Sequence, residues 1–370
     1  MYDKICTFEN LLRSYKLARK SNRYKKRICQ FDFFLESNLL KIQKELISET
    51  FVTRPYNHFI VTDPKTRQIA APEFRDRVVQ HALVDTIEPL FESSFIYDSY
   101  ACRRNKGTTF ALKRIQKFLK AGRSYYGKDE EIYFLKCDIR KFFPSISWDV
   151  LLEIVRKKIS CPKTLRLIEK IVTTHQVYRK LIVNPKVQMS LFDNPDTLEE
   201  VISIKKRTGL PIGNLTSQLF ANVYLGELDN FVKHNLKERW YDRYMDDFLI
   251  ISNDKKHLLL VKDEINTFLN EKLKLTLHPR KSFVQNTKNG VTFVGYRIFY
   301  DHILIRGSTL IHFRKKHKKR LKQLKKGKIT KEDLRQSELS FKGHMKHADT
   351  WNLEKMLKEK VFIDVSKKKP

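Results

Sequence analysis

The sequence predicts an α+β fold: helices first, then a small sheet whose strands end in acidic residues. Three observations lead there. The first fifty residues place apolar side chains at helical spacing, with Phe31, Phe34, Leu35, Leu39, Ile42 and Leu46 on one face. Later segments hold short alternating or branched apolar runs bounded by turn residues. No segment repeats at the period of a solenoid or propeller, so a single mixed architecture of sheet and covering helices is expected.

The elements follow in order. Tyr56 to Ala71 alternates around an Asp63-Pro64-Lys65 turn and predicts a hairpin. Arg75 to Phe91 has helical periodicity, and a basic, glycine-containing loop then opens a helix at Thr108 or Thr109. A strand-like run ends at Asp138, and Ser147 is the expected N-cap of a helix carrying Val150, Leu151, Ile154 and Val155. The polar stretch 175–208 reads as an insertion or extended loop. After "GLPIGNLTSQ" comes a helix through Leu219, Val223, Leu228 and Phe231, then a strand pair turning at Asp246-Asp247. Leu258 to Leu273 predicts a further helix, 290–306 a hairpin turning near Asp301-His302, and Phe313 to Lys328 a basic helix. On that last helix Phe313, His317, Leu321 and Leu324 share one face.

Composition narrows the function classes. The 370 residues carry 74 Lys+Arg against 42 Asp+Glu, a formal charge of +32. That excess is far beyond what solubility needs and points to a polyanion such as nucleic acid. The five cysteines form no C-x-x-C pair, so neither a zinc site nor a disulfide framework is expected, and a reducing cytoplasm fits. The charged N-terminus has no apolar signal region, and no run is long enough to span a bilayer, so no membrane partner is expected.

One stretch stands apart. "RWYDRYMDDFLII" (Arg239–Ile251) sets two adjacent carboxylates, Asp246 and Asp247, in an apolar run that should bury itself. Buried unpaired carboxylates are costly. Asp138 likewise ends an apolar strand. Carboxylates gathered from two strands resist joint ionisation unless a cation neutralises them, and hard divalent ions such as Mg²⁺ prefer such oxygen ligands together with phosphates. In a basic chain, that chemistry suggests nucleotidyl transfer. Each acid alone reads equally well as a solvated turn or helix-cap residue.

The company of these acids resembles the reverse transcriptases. "YMDD" at Tyr244–Asp247 is similar to their palm motif, "LKCDIRKFFPSI" to their first aspartate motif, and "GLPIGNLTSQLFANVYL" to their central glycine motif. "LTLHPRKSFV" resembles the lysine-containing motif and "FVGYRI" the primer grip, while "RQIAAPEFRDRVVQHAL" and "SYACRRNKGT" resemble the two fingers motifs. They occur in the family's order. Ile212 and the Ser217-Gln218 pair, with "FENLLRSYKLAR" and "SFKGHMKHADTWNL" near the ends, resemble the diversity-generating retroelement type, which is related to group II intron-like and defence-associated enzymes.

The resemblance implies a right-hand polymerase. It divides into an N-terminal helical extension (1–54), fingers (55–130), a palm with an antiparallel sheet (131–300, insertion around 175–208) and a helical thumb with a basic C-terminal region (301–370). It implies that Asp138, Asp246, Asp247 and the Ile139 carbonyl hold two Mg²⁺ ions, with Mn²⁺ able to substitute. Phe143, five residues after Asp138, falls at the steric gate against ribonucleotides. Arg67, Arg75, Arg103, Lys106, Ile212, Gly213 and Gln218 fall at nucleotide-contacting positions, Lys281 at a possible general acid, and Phe293, Gly295 and Tyr296 in the primer grip. The implied partners are an RNA template and RNA/DNA duplex, deoxynucleoside triphosphates, a structured RNA from the same locus and an accessory protein. For that type, copying is error-prone, particularly at template adenines. Two alternatives stay open: a phage-defence enzyme copying a dedicated noncoding RNA, and an RNA-binding scaffold with a non-polymerising palm fold.

Overall fold

A computed structural model describes residues 1–20, 22–63, 65–183 and 207–360. Four helices open the chain: α1 (Tyr2–Cys6), α2 (Phe8–Ala18), α3 (Lys26–Phe33) and α4 (Leu35–Ile47). Thr7 caps α2 by accepting the Asn10 amide at 3.3 Å. The single apolar face expected across Phe31 to Leu46 breaks at Phe34, which sits between α3 and α4 and is 62% exposed. Leu39, Ile42 and Leu46 keep the buried stripe.

The predicted hairpin is β1 (Asn57–Val61) paired with β2 (Arg67–Ala71); Pro64 of its expected turn lies outside the described residues. Next come α5 (Phe74–Glu92) and α6 (Thr108–Tyr126), the latter bounded by Gly107 and Gly127, both at positive φ. Strand β3 (Tyr133–Asp138) leads through the single turn α7 (Phe142–Ser145) into α8 (Trp148–Arg156), capped by Ser147 as the sequence predicts. Helix α9 (Pro162–Val183) occupies the start of the expected 175–208 insertion, and residues 184–206 of it lie outside the described part. Helix α10 (Leu215–Asn230) continues into a π-helical turn, Phe231–Asn235.

Strands β4 (Trp240–Tyr244) and β5 (Asp247–Ser252), helix α11 (Lys255–Lys272) and strand β6 (Phe283–Asn286) follow. The expected hairpin at 290–306 is a three-stranded meander: β7 (Val291–Phe293), β8 (Tyr296–Ile298) and β9 (Ile303–Ile305). Val294-Gly295 makes its first turn, with both residues at positive φ. Helices α12 (Gly307–Lys325), α13 (Lys331–Met345) and α14 (Trp351–Lys360) close the described chain. A Thr330–Asp333 capping box starts α13. The α+β class is the one found, with antiparallel pairing between β3 and β6 and between β4 and β5. No helix among the described residues is long and apolar enough to cross a membrane.

The described residues form two compact units. The first takes Met1–Tyr97, Asp138–Lys237 and Asp263–Pro279. Within it α5 is the hub, packing against α2 and α10. Asn10 is buried and donates to the Ala82 carbonyl at 3.2 Å, tying α2 to α5. Phe220, Tyr224, Leu225 and Leu228 bury α10 around most of its circumference, and Tyr224 donates to the Leu273 carbonyl at 2.6 Å.

The second unit takes Asp98–Cys137, Glu238–Lys262 and the chain from Arg280 onward. Its main sheet has the order β4-β5-β3-β6. Ile115 and Phe118 of α6, Phe134, Trp240, Leu249 and Phe293 share one buried cluster. Each such side chain contributes about 1.5–3 kcal/mol by burial. A smaller cluster stacks Phe313 on Phe341, ring centroids 3.7 Å apart, with Met345 and Leu357. Of the face expected on α12, Phe313 and His317 are buried while Leu321 and Leu324 are half-buried; His317 meets Glu338 of α13 at 2.7 Å.

Candidate active site

The Tyr244–Asp247 segment is the tightest feature of the second unit. Tyr244 pairs with Asp247, leaving Met245 and Asp246 as a two-residue turn between β4 and β5. Met245 has φ +58°, a left-handed backbone value that costs a non-glycine residue about 1–2 kcal/mol. Something must hold it. Arg243, fully buried, donates from Nη1 to the Met245 carbonyl at 3.1 Å. Its own backbone is fixed by Asp98–Tyr100: the Arg243 amide donates to the Asp98 carbonyl at 2.9 Å and the Tyr100 amide to the Arg243 carbonyl at 3.1 Å.

Asp246 and Asp247 are both half-buried. Lys136 of β3 places its ammonium 3.1 Å from Asp247 Oδ2, donates to the Thr292 carbonyl at 2.9 Å, and lies 5.6 Å from the Phe293 ring centroid. Two residues before Tyr244 on β4, both carboxyl oxygens of Asp242 are buried and have no hydrogen-bond partner among the described residues. Burial first, then the charges of Asp98 and Asp247, push the Asp242 carboxyl well above the usual carboxylate range; Arg114 and Lys136 offset this in part. Asp98 itself accepts from Arg114 Nε at 2.6 Å and from Tyr100 at 3.0 Å.

Asp138 closes β3, the neighbour of β5 in the sheet order. Its carbonyl accepts from the His278 amide at 2.7 Å. Ile139 is buried and bridges to Leu277. Lys141 at φ +48° then turns the chain into α7, where Phe142 is buried and Phe143 half-buried.

Backbone hydrogen bonds tie Leu210 to Phe143 and, two residues on, Ile212 to β2. The Phe143 carbonyl accepts from the Leu210 amide at 2.9 Å, and the Ile212 carbonyl from the Ala70 amide of β2 at 3.0 Å. Gly213 has φ +127°, and a Cβ there would stand 3.0 Å from the Ala70 carbonyl oxygen. Glycine is required at this close approach. Gln218 is exposed on α10, and Arg67 is exposed at the start of β2. Arg75 is half-buried, ion-paired with Glu45, and packs its guanidinium 4.9 Å from the Phe51 ring centroid.

In the second unit Arg103 donates to the Ser99 carbonyl at 2.8 Å, and Lys106 lies 4.6 Å from the Phe110 ring centroid. Lys281 is exposed. Phe293 and Tyr296 are buried, and Tyr296 donates to the His344 carbonyl at 2.7 Å. Both belong to the buried cluster against which Val294 packs.

Residues 62–298 match the family model described as reverse transcriptase (RNA-dependent DNA polymerase). The chain belongs to this family. This reverse transcriptase is similar to "Protein YkfC" of Escherichia coli (strain K12), 23% identical over 291 residues and covering 70% of each chain. It is also similar to "Group II intron-encoded protein LtrA" of Lactococcus lactis subsp. cremoris, 24% identical over 332 residues. That match covers 72% of this chain and half the length of LtrA. Among solved structures, the apo telomerase from Candida tropicalis truncated from its C-terminal domain aligns with a TM-score of 0.47 and 14% identity, over 74% of this chain and 60% of that one.

Among the described residues, no group of three or more His, Cys, Asp or Glu side chains is assembled to hold a metal ion. The donor chemistry at the reverse transcriptase turn nonetheless suits a hard divalent cation: Asp246 and Asp247 offer oxygen alone, and the Lys136 ammonium already stands against Asp247 as a positive charge. Four residues that sequence reasoning missed build this environment: Lys136, Asp98, Asp242 and Arg243. The available signal was charge on apolar strands, in "YFLKCD" and "WYDRY".

Proposed function

We propose that this chain is an RNA-directed DNA polymerase that makes cDNA from a structured RNA. The observation that carries the reading is the Tyr244–Asp247 hairpin, with its two acids at the turn of strands inside the family-matched region and its β5 beside the strand that Asp138 closes. In this reading Asp138, Asp246 and Asp247, with the Ile139 carbonyl, hold two Mg²⁺ ions. When bound, such ions supply Lewis-acid activation of a primer hydroxyl and neutralise the triphosphate.

The chain's own residues do the selecting. Phe143 limits the space under the sugar, and Gly213 lets backbone lie against the template-nucleotide pair. Ile212 presents no hydrogen-bonding group there, which favours misincorporation at template adenines. Arg67, Arg75, Arg103, Lys106 and Gln218 orient the nucleotide, and Lys281 stands as a general acid for pyrophosphate. For Arg75 this requires sharing its guanidinium with Glu45. Phe293, Gly295 and Tyr296 set the turn that holds the primer end. Residues 1–54, 55–130, 131–300 and 301–370 serve as extension, fingers, palm and thumb.

Ile212 and Ser217-Gln218 favour retroelement-driven protein diversification, with an accessory protein and a locus-encoded RNA as partners. Sequencing the RNA and cDNA that copurify with the expressed protein tests this. Substitutions concentrated at template adenines support it. Faithful cDNA of one dedicated noncoding RNA would instead support the defence role.

A further inference from the structure

Helix α6 carries Lys113, Arg114, Lys117, Lys120 and Arg123 and no acid in its 19 residues. Its apolar face, including Ala111, Leu112, Ile115 and Phe118, is buried in the core of the second unit, while Lys113, Lys117 and Lys120 are exposed. Two cavities open along this helix. One, of about 400 Å³, is lined by Lys113, Gln116 and Lys120 of α6 and by Lys346 and His347 after α13. The other, of about 220 Å³, is lined by Arg123, Lys128, Lys288, Phe299 and Tyr300. The β8–β9 turn borders both, giving Tyr300 to one and Asp301 to the other.

The chemistry of this track is basic and aromatic. Six Lys and Arg line the two cavities against three carboxylates, Glu130, Asp301 and Asp349. Two of those acids are already engaged: Asp349 accepts the Ile303 amide at 2.8 Å, and Asp301 meets His302 at 2.8 Å. Among the described residues, Lys113, Lys120 and Lys346 form no ion pair. The Arg123 guanidinium stacks 4.3 Å from the Tyr300 ring centroid, and Tyr300 remains 42% exposed. Nearby, Phe299 stacks on His302 at 4.3 Å. From Lys113 to Arg123 the helix rises about 15 Å, enough to follow a short stretch of backbone. Cations tracking phosphates beside a stacking ring are the recognition chemistry of single-stranded nucleic acid.

We propose that the face formed by α6, the β8–β9 turn and the segment after α13 is a binding track for single-stranded RNA, separate from the residues assigned to polymerisation. Phosphates lie along Lys113, Lys120 and Lys346, and a base stacks at Arg123–Tyr300. It rests on the proposed polymerase reading only for the choice of RNA over DNA.

The test uses the full chain and a labelled single-stranded RNA of about a dozen nucleotides, followed by fluorescence anisotropy. Unlabelled chain-terminated primer–template is kept in excess to fill the polymerising cleft. K113Q/K120Q/K346Q should weaken binding at least tenfold and reduce the slope of log K against log salt by about 2, at roughly 0.7 per phosphate contact. Y300A should weaken binding several-fold and Y300F should restore it, with unchanged melting temperatures and primer extension within twofold of wild type. Unchanged affinity and salt slope in the folded triple variant would overturn the proposal, as would duplex RNA losing affinity to the same extent. A wild type that binds RNA here yet extends no primer would sink the polymerase reading and leave the track standing.

Discussion

Arg243 Nη1 donates to the Met245 carbonyl at 3.1 Å, so a fully buried guanidinium holds the carbonyl of the strained residue beside the two acids. Lysine keeps the charge and loses the planar fork. Arg243→Lys should therefore fold but loosen the turn, lowering the primer-extension rate tenfold or more. Extension within twofold of wild type, with melting unchanged, would show that the turn does not depend on this bond.

Gly213 makes a second backbone demand. At φ +127°, with a Cβ position 3.0 Å from the Ala70 carbonyl oxygen and 3.2 Å from Ile69 Cγ2, alanine must displace β2. Gly213→Ala should cost about 2 kcal/mol and lower Tm by about 4–8 °C in a unit of this size. A melting temperature equal to wild type would refute the close approach.

Asp76 makes stability depend on pH. It is buried, accepts the Arg54 amide at 2.7 Å, and has its pKa raised to about 6, chiefly by burial. A carboxyl whose folded value lies above its unfolded value stabilises the fold while protonated. That contribution is present below about pH 4 and is lost as pH rises through 6. Asp76→Asn keeps an acceptor for the amide and removes the charge. Its advantage in Tm over wild type should therefore grow between pH 5 and pH 8, and an advantage that is flat across this range would contradict the assignment.

Much of this was legible in the sequence, and the limits are physical. The acids of the turn stood out because carboxylates are rare in an apolar strand pair, and Ser147 was readable as a cap from its local pattern alone. Lys136 and Asp242 showed only as charges on apolar strands and Asp98 not even as that, because their partners lie on neighbouring strands or distant segments that no local period encodes. The break at Phe34 escaped because the apolar spacing runs through it. The third strand of the β7–β9 meander escaped because three-residue strands carry almost no alternation.

Two side chains set selectivity in the proposed polymerase. Phe143→Ala should admit ribonucleotides by at least tenfold in the ratio of kcat/KM, and unchanged sugar selection would remove its gate role. Ile212→Gln, which restores an amide, should lower misincorporation opposite template adenine. An unaltered error spectrum in sequenced products would show that fidelity is set elsewhere.

In the proposed polymerase, the acids of the Tyr244–Asp247 turn drive nucleotidyl transfer on an RNA template. The most direct test is extension of a DNA primer on an RNA template with deoxynucleoside triphosphates and Mg²⁺, comparing wild type with Asp246→Asn. Wild type should extend the primer, and Asp246→Asn should lose at least a thousandfold in rate while melting normally. Magnesium-dependent synthesis retained by Asp246→Asn would contradict this role of the acids.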